Sequence, residues 1–501
     1  MSLRRTFPDV THWRGRHVVV CNWRDGRHPE AGGAELYCEQ VAQQLHDAGV
    51  RVTYVTARPR GTARREQAPY GTVVRGGGRF SVYLFALLWL AWQRRRVDAV
   101  IDSQNGIPFF TPLVLPRRTP VVLLVHHVHQ QQFAVLFPRA VAVVGRWLEA
   151  TGSRLVYGRR AICAVSPSSR AQTRTLLGLR GPVHLAPPGL TAIIPQAMAT
   201  RPRIVCTGRL VRHKRLDHLI RALPALRENM PGVELHLIGD GEAREELARL
   251  AERLGVGDRV VFHGRLPVPA RDALVASAWI TASASPHEGW GLSVMEAAGA
   301  GVPAVAYDVP GLRDVIRHGV TGWLVREGEQ DLTTALVLAL RTVADPGQAA
   351  AISTACRAWA GRFTWSATAG HLLAALTAEQ TRLRDRDRGG PPSDSCAVVT
   401  LPNSLLLRAD SGALRVTDLI TVCGPDAALL LTGADEQDAY AILTRMGLDA
   451  SDPRLRVRLA RPGDLLGWQR HPGTGGPGPE GPLHRGVLSP RRRKPRLSRT
   501  G

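Results

Sequence analysis

Apolar runs alternate with amphipathic stretches in the amino-terminal part of the chain. Residues 16–23, RHVVVCNW, form a short apolar run, and residues 28–49 combine a glycine-rich loop with apolar positions at helical spacing. Gly49 is a natural helix end, and residues 50–57 form the next apolar run. This strand, helix, strand order predicts a βαβ unit with a parallel sheet. Two further strands, buried on both faces, are predicted at residues 97–103 and 119–127.

The same pattern restarts near residue 203. Residues 203–208 predict a strand, residues 209–229 a loop and a helix, and residues 233–241 a strand that ends in glycines. Further short strands, alternating with helices, are predicted at 259–264, 279–285 and 302–308. The sequence therefore predicts an α/β protein with two open halves that face each other across a cleft. Ligands of such sheets bind outside the carboxyl ends of the strands.

The expected domain boundaries follow from these two series. The first half covers residues 1–190 and the second covers 191–365, and a helix at 366–385 is expected to pack back on the first half. Residues 386–472 predict a linker followed by a small α/β appendix. Residues 473–501, rich in glycine, proline and arginine, predict a disordered basic tail.

Residues 81–92, SVYLFALLWLAW, form the most apolar run of the chain, and Arg94, Arg95 and Arg96 follow it. The run is shorter than the roughly 20 residues that span a bilayer. Two interpretations stay open: a buried helix of an α/β domain, which we favour, or a helix that lies in a membrane interface. Residues 1–20 contain no long apolar core, so we expect no signal peptide.

The chain carries a formal net charge of +23, almost entirely from arginine. This charge indicates an anionic partner or an arginine-rich genome. Aromatic residues make up 5% of the chain and no nucleic-acid motif occurs, so nucleic acid is not an expected partner. The seven cysteines are scattered and form no Cys-x-x-Cys pair, which argues against a zinc site or a disulfide framework. We therefore expect a cytoplasmic protein, with peripheral contact at the inner face of the plasma membrane left open.

Two glutamates flank a predicted helix start in the stretch HEGWGLSVME. Gly291, Leu292 and Ser293 begin this helix, and their backbone N–H groups can bind an anion such as phosphate. Carboxylates commonly accept hydrogen bonds from vicinal hydroxyls. Glu288 and Glu296 could therefore hold the two ends of a nucleoside diphosphate sugar. The alternative is one helix-start acid and one solvated loop acid.

A basic loop follows the first strand of the second half, at the edge where ligands bind. Lys214 in this loop is one of only two lysines in the chain, the other being Lys494. Because arginine is used almost everywhere else, a compact ammonium is indicated at Lys214. Arg209 and Lys214 would neutralise a diphosphate without a metal, and no Asp-x-Asp cluster follows a predicted strand. A solvated basic loop is the alternative.

Five motifs together resemble the retaining glycosyltransferases of family 4, which have the GT-B fold of two Rossmann-like domains. In chain order these motifs are AGGAE, GRL with its lysine, LIGDGE, FHGRLP and EGWGLSVME. The resemblance covers residues 16–385, and each motif alone would be weak. It implies an acceptor-binding first domain and a donor-binding second domain. It further implies transfer of a hexose to a hydroxyl of a lipid-linked, polysaccharide or small-molecule acceptor, without a metal or another cofactor.

The resemblance also implies roles for residues of the second domain. Glu288 would contact the hydroxyls of the donor hexose, and Glu296 would hold the ribose. Arg209 and Lys214 would bind the diphosphate, together with the backbone N–H groups at the start of the helix. Closure of the two domains would exclude water, and a donor phosphate oxygen would take the acceptor proton.

Other positions match the family through loops. Gly32 and Gly33 match the glycine loop that closes over the diphosphate and sugar. His263, Gly264 and Arg265 lie where the family holds the base, largely through the backbone.

One histidine assignment depends on the resemblance and allows a shift of one residue. His126 matches the active-site histidine that hydrogen-bonds the donor sugar, but His127 and His129 follow closely. The loop HHVHQQQF is richer in histidine and glutamine than the family's usual His-Asp pattern, and Trp290 replaces the usual phenylalanine. We interpret the loop as a subfamily feature that affects the acceptor.

Other functions remain as alternatives. Within enzymes these are another GT-B activity, such as a nucleotide-sugar epimerase or a phosphorylase. A phosphorylase that uses pyridoxal phosphate would need a Schiff-base lysine, and Lys214 is the only lysine within the predicted fold. From a different class, the chain could be a basic protein that binds nucleic acid or an anionic membrane. A transferase-like domain without activity is a third alternative.

Overall fold

The computed structural model describes residues 10–130, 132–133, 137–387 and 396–460, the last range without 411, 413, 415–417, 432–433, 435 and 450–451. The predicted tail at 473–501 and most of the predicted linker lie outside the described residues. The described residues form two compact units, which divide after Pro391.

The first sheet of unit 1 has eight strands in the order β3-β4-β2-β1-β5-β6-β7-β8. Every neighbouring pair is parallel except β3 and β4 at the edge. The strands are β1 His17–Cys21, β2 Arg51–Thr56, β3 Arg65–Ala68, β4 Gly71–Arg75, β5 Ala99–Asn105, β6 Val121–His127, β7 Ile162–Ala164 and β8 Val183–Leu185. The accompanying helices are α1 Gly33–Asp47, α2 Ser81–Gln93, α3 Arg139–Trp147, α4 Ser153–Tyr157 and α5 Pro167–Thr175.

The second sheet of unit 1 has six parallel strands in the order β11-β10-β9-β12-β13-β14. The strands are β9 Arg203–Thr207, β10 Glu234–Ile238, β11 Val260–Gly264, β12 Ile280–Ser283, β13 Ala304–Tyr307 and β14 Gly322–Val325. The helices are α6 Leu216–Asn229, α7 Arg244–Arg253, α8 Val268–Ala276, α9 Leu292–Gly299, α10 Leu312–Val315, α11 Glu329–Ala344 and α12 Pro346–Ala360.

These two sheets confirm the predicted α/β fold with two Rossmann-like halves. In the first sheet all five residues of β1 are buried, and β5 and β6 are buried in all but their last residue. Continuous apolar runs produce such strands because helices cover both faces of a parallel sheet. The sequence pattern missed β3, whose residues REQA are polar, and β7 and β8, which have three residues each. It also missed β4 and β14.

The strand order fixes where ligands can bind. In the first sheet the order reverses between β1 and β5, and in the second sheet it reverses between β9 and β12. At such a switch point the loops that leave adjacent strands run in opposite directions and open a crevice at the carboxyl ends. The glycine loop follows β1, the basic loop follows β9, and the Glu288 loop follows β12.

A long helix, α13 Trp365–Asp387, follows the second sheet and packs against α1, β6, β7 and β8 of the first. The indole Nε1 of Trp13 donates to Thr377 Oγ1 at 2.8 Å, which fastens the helix to the start of the chain. Glu379 belongs to this helix, and its side chain is fully buried. It accepts hydrogen bonds from the Arg160 side chain, the Ala161 backbone N–H and the Arg382 guanidinium at 2.7–3.2 Å.

Unit 2 has a four-stranded antiparallel sheet in the order β16-β17-β15-β18. Its elements are β15 Ala397–Pro402, α14 Asn403–Leu406, β16 Leu419–Cys423, β17 Asp426–Leu431, α15 Glu436–Arg445 and β18 Arg456–Leu459. This is a βαββαβ arrangement with antiparallel strands. Val399, Leu429 and Leu443 are fully buried in its core.

No helix in the described part of the chain combines the length and the apolar character that crossing a bilayer requires.

We predict that Glu379→Ala destabilises unit 1 by about 3–5 kcal/mol, because it leaves the buried Arg382 guanidinium without its carboxylate. Urea unfolding followed by tryptophan fluorescence measures the change. The matched control is Glu245→Ala on α7, whose side chain is 87% exposed and whose loss should change stability by less than about 1 kcal/mol. Equal unfolding midpoints for the two variants would contradict this role of Glu379.

Candidate active site

An ion pair joins the basic loop to the Glu288 loop. Lys214 ends a short 3-10 turn, Arg212–Lys214, and the turn leads into α6 through Arg215, which has a φ of 48°. Lys214 Nζ donates to Glu288 Oε1, and the two side chains are 25% and 21% exposed. The structure thus brings together two residues that are 74 positions apart in the sequence.

Arg209 lies in the same loop and is exposed. Burial lowers the pKa of His213, and the positive charges of Lys214 and Arg209 lower it further. The two predicted basic residues, Lys214 and Arg209, therefore both lie near His213. Their charges disfavour a third positive charge on that histidine.

The start of α9 offers backbone donors beside this pair. Gly291 has a φ of 92°, and its carbonyl oxygen accepts from the N–H groups of Val294 and Met295 at 3.1 Å. Leu292 and Ser293 precede these first intrahelical donors, so their N–H groups point out of the helix end. This end carries the positive side of the helix dipole, which suits an anion.

The glycine loop of the first half lies opposite the start of α9. A Cβ added to Gly33 would lie 3.9 Å from Leu292 Cδ2. The Gly32 N–H donates to Glu35 Oε2 at 2.7 Å, which begins α1, and Arg24 Nε holds Glu35 Oε1 at 3.0 Å. The structure therefore brings both predicted glycines to the helix end that should bind the diphosphate.

The predicted base-binding residues lie along the edge formed by β10 and β11. His263 Nε2 is 2.9 Å from Nδ1 of His236, and the Gly264 carbonyl accepts from Gly239 N–H at 2.8 Å. The Arg265 guanidinium donates to the carbonyl oxygen of Pro29 at 2.7 Å. Arg265 thus connects the second half to the glycine loop.

Two glycines allow the Glu288 loop to approach the first sheet. A Cβ on Gly289 would overlap the carbonyl oxygen of His126 at the end of β6, and a Cβ on Gly311 would overlap the Glu288 carbonyl. The hydroxyl of Ser169 also donates to the Gly289 carbonyl, at 3.3 Å. Any larger residue at 289 would push Glu288 away from the first half.

The side chain of His126 points into the core of the first half. Its Nε2 lies 3.0 Å from Ser103 Oγ and 3.6 Å from Cys38 Sγ, and its ring meets Tyr37 edge-on at 5.0 Å. Burial lowers the pKa of His126 to about 3. This histidine is neutral at physiological pH, and its described contacts are all with core residues.

His127 faces the opposite side, toward the basic loop. Its ring lies 6.5 Å from that of His287, and its Nδ1 is buried without a hydrogen-bond partner among the described residues. Burial lowers the pKa of His127, and the neighbouring titratable groups His129, His287 and Lys214 lower it further. Of the two neighbouring histidines, His127 is therefore the one on the side of the basic loop. His287 lies beside it, although the sequence did not single out His287.

Glu296 lies on α9, half-buried, with Oε1 3.8 Å from a guanidinium nitrogen of Arg271 on α8. Burial raises the pKa of Glu296, and Arg271 counteracts that rise. The sequence did not identify Arg271, because its neighbours ARDAL carry no motif.

A buried acid on the first half was also missed. Glu149 lies in a π-helical turn, Leu148–Gly152, and such turns often occur at functional sites. Its carboxylate accepts from the His129 N–H at 2.6 Å and from Gln130 Nε2 at 2.7 Å. Burial raises the pKa of Glu149 to about 7 and lowers that of His129 to about 4. Glu149 thus holds the His- and Gln-rich loop that begins at His127.

A separate group of metal-ligand types lies on α6 and α11. The ligand atoms of Asp217, His218 and Glu329 lie within 4.8 Å of one another, the one such group found in the described residues. Arg221 is 3.5 Å from Glu329, and His218 Nδ1 is 2.6 Å from the Tyr307 hydroxyl. Since these partners already use the polar atoms, the group is explained as a surface network.

Comparison with known proteins gives two family matches that together cover most of unit 1. A model of "Glycosyltransferase Family 4" matches residues 31–192, and a model of "Glycosyl transferases group 1" matches residues 194–350.

Two curated relatives and one solved structure illustrate the similarity. A GDP-mannose-dependent alpha-(1-6)-phosphatidylinositol monomannoside mannosyltransferase of Mycolicibacterium smegmatis is 37% identical over 195 residues, 37% of this chain and 50% of the relative. A D-inositol 3-phosphate glycosyltransferase of Xylanimonas cellulosilytica is 32% identical over 250 residues, 44% of this chain and 58% of the relative. A sucrose-phosphate synthase of Thermosynechococcus elongatus has a TM-score of 0.61 at 21% identity, covering 72% of this chain and 99% of that one. The chain thus spans half or a little more of these relatives' length, and the solved structure shows the GT-B fold.

The raised pKa of Glu149 gives a stability prediction. A carboxyl whose pKa is higher in the folded state stabilises the fold below the unfolded value of about 4.3, and this contribution is lost as the pH rises through about 7. Glu149→Gln removes the titration, so its melting temperature relative to wild type should rise between about pH 5 and pH 8. Over this pH range the free energy of unfolding of Glu149→Gln should rise by on the order of 2–3 kcal/mol relative to that of the wild type.

The control for this measurement is Glu228→Gln, an exposed residue of α6. Its melting temperature should follow that of the wild type at every pH. A Glu149→Gln curve parallel to the wild-type curve would show that Glu149 does not carry this pH dependence.

Proposed function

Because this chain belongs to glycosyltransferase family 4, we propose that it transfers a hexose from a nucleoside diphosphate sugar to an acceptor hydroxyl, with retention of the anomeric configuration. The observation that carries the proposal is the Lys214–Glu288 pair at the start of α9, with His127 of the other half beside it. A cation, a carboxylate and backbone donors, placed together between two halves, match the phosphate and sugar parts of such a donor.

The diphosphate would be the group bound by positive charge. Lys214 and Arg209 supply two cations, and Leu292 and Ser293 supply backbone N–H groups at the positive end of α9. These donors are fixed before the reaction starts, so they can stabilise the charge that develops as the diphosphate leaves. In this proposal no metal is required for that step.

The two ends of the donor would be held by the two glutamates. Glu288 would accept hydrogen bonds from the hexose hydroxyls, which would compete with Lys214 for its carboxylate. Glu296 would accept from the ribose hydroxyls, and Arg271 would favour its charged form against the effect of burial. Gly264 and its neighbours would meet the base through the backbone.

The reaction would proceed on one face of the sugar. The bond between the anomeric carbon and the diphosphate oxygen breaks, and the acceptor oxygen bonds to that carbon from the same side. A phosphate oxygen of the leaving diphosphate takes the acceptor proton. His127, kept neutral by burial, would hydrogen-bond the sugar without adding positive charge.

GDP-mannose is the first donor to test, because a relative with 37% identity is named as GDP-mannose-dependent. The names of both relatives contain an inositol that bears a phosphate, in phosphatidylinositol and in D-inositol 3-phosphate. We therefore propose a phosphoinositol-containing acceptor as the first class to test. His129 and Gln130, both held by Glu149, would contact it.

The test is a thermal-shift panel of the full chain with GDP, UDP, ADP and CDP in the presence of EDTA. One nucleotide, expected to be GDP, should stabilise the protein by about 2.7 kcal/mol at a concentration of 100 times its Kd. Lys214→Ala should weaken that nucleotide's binding by about tenfold to a hundredfold, because hydrogen bonds to charged groups contribute about 1.5–3 kcal/mol.

Arg212→Ala is the matched control for Lys214→Ala. Arg212 lies two residues earlier in the same turn, and its side chain is 80% exposed. This variant should bind the nucleotide like the wild type. No shift with any nucleotide in a folded sample, or equal losses in the two variants, would refute the donor site.

A second prediction separates the two histidines. His127→Leu should lower kcat by about tenfold with little change in melting temperature, since leucine cannot hydrogen-bond the sugar. His126→Leu should instead lower stability by about 1–3 kcal/mol, because leucine cannot hydrogen-bond the buried Ser103 and Cys38. Steady-state rates and melting curves of both variants decide between them. The reverse pattern would assign the sugar contact to His126.

A further inference from the structure

Exposed apolar side chains are concentrated on one part of the first half. Of the 21 large hydrophobic residues exposed in the described chain, ten lie between Phe80 and Leu155. Scattered exposed apolar residues are normal on a protein surface, but a concentrated set marks an interaction site.

Helix α2 is apolar on both its faces. Val82, Ala86 and Leu90 are fully buried against the sheet. On the outer face a stripe with a spacing of four residues is 61–77% exposed, and it consists of Phe80, Leu84, Leu88 and Trp92. A helix that only met water would be polar on that face. The expectation that residues 81–92 form a buried helix is therefore wrong for half of the helix surface.

Helix α3 exposes more apolar surface than it buries. Its only buried residues are the small Ala142 and Gly145. The large apolar residues Val143, Val144 and Trp147 are 53–56% exposed. Such a distribution is the reverse of that of a surface helix in a globular protein.

The two helices belong to one region of the surface. The Arg79 guanidinium lies 5.7 Å from the ring of Phe80 at the start of α2 and 5.1 Å from the ring of Phe137, just before α3. A 3-10 turn, Thr111–Leu113, packs against both α2 and α4, and Leu113 on it is 66% exposed.

The charge of this region is of one sign. Its exposed arginines are Arg79, Arg94, Arg95, Arg96, Arg139, Arg146 and Arg154. The only acidic residue within 76–96 and 138–157 is Glu149, which is fully buried. A second copy of the chain on this face would bring like charges together, whereas an anionic lipid surface would pair with them.

We propose that the outer faces of α2 and α3 form a docking surface for an anionic lipid bilayer. The apolar stripe and Trp147 enter the acyl boundary, while the arginines at the ends of the helices contact lipid phosphates. Docking of this kind is peripheral and needs no spanning segment. Docking would hold the first half, which binds the acceptor in the proposed function, at the lipid surface. The acceptor would then be linked to a lipid, and this part of the inference rests on the proposed function.

The experiment is co-sedimentation of the full chain with vesicles, without any sugar donor. Vesicles of phosphatidylcholine with phosphatidylglycerol should pellet the wild type, and vesicles of phosphatidylcholine alone should pellet much less. The double variant Leu84→Gln with Leu88→Gln should bind the anionic vesicles at least about tenfold more weakly than the wild type. It loses two apolar side chains that would insert into the bilayer, but it keeps the charge. Salt should also weaken wild-type binding, since it screens the arginines.

The matched control is Leu338→Gln on α11, which removes an apolar residue that is 53% exposed in the second half. It should bind like the wild type. If the double variant bound vesicles as well as the wild type does, the proposal would be overturned. The basic residues at 473–501, which the variant keeps, would then explain the binding. A wild-type dimer that the double variant dissociates, without vesicle binding, would make the surface an interface between copies.

Melting curves of the double variant with the nucleotide panel complete the test. An unchanged melting temperature shows that the exposed substitutions leave the fold intact. An unchanged nucleotide shift keeps the donor site separate from the docking surface, so that either can fail without the other.

Discussion

Gly289 lets the loop that carries Glu288 touch the end of β6, because a side chain there would overlap the carbonyl oxygen of His126. The donor-side carboxylate can meet residues of the other half only through this close backbone approach. Gly311 repeats the constraint on the other side of the same loop. The pairing of Lys214 with Glu288 and the position of His127 beside them both depend on this packing.

The electrostatics of the site follow from unequal burial. Burial keeps His126, His127 and His129 neutral, with each pKa lowered. Beside these histidines, positive charge therefore comes from Lys214, Arg209 and the start of α9. In the proposed function a diphosphate would meet these cations, while the sugar would meet a carboxylate and neutral donors or acceptors. In this proposal the second half supplies the cations and carboxylates that contact the donor, and the first half supplies neutral histidines.

The first half also uses apolar residues in two ways. Val82, Ala86 and Leu90 of α2 fill the core beneath the sheet, and Leu84, Leu88 and Trp92 of the same helix face outward. The hydrophobic effect alone does not distinguish the two faces, because both are equally apolar. Only the position of the sheet decides which face is covered. The exposed face, bordered by arginines, is then available to a lipid surface.

The sequence by itself determined the two α/β halves, because continuous apolar runs with glycine-rich loops at regular intervals produce parallel strands and helices. It also singled out Glu288, Lys214 and Arg209 through their residue types and their place after strands. Tertiary structure alone decided the rest. Which of His126 and His127 faces the basic loop depends on strand orientation, and Arg271, Glu149 and His287 reach their places through contacts between elements distant in sequence. Local patterns carry no record of such contacts, since packing and burial arise only when the elements come together.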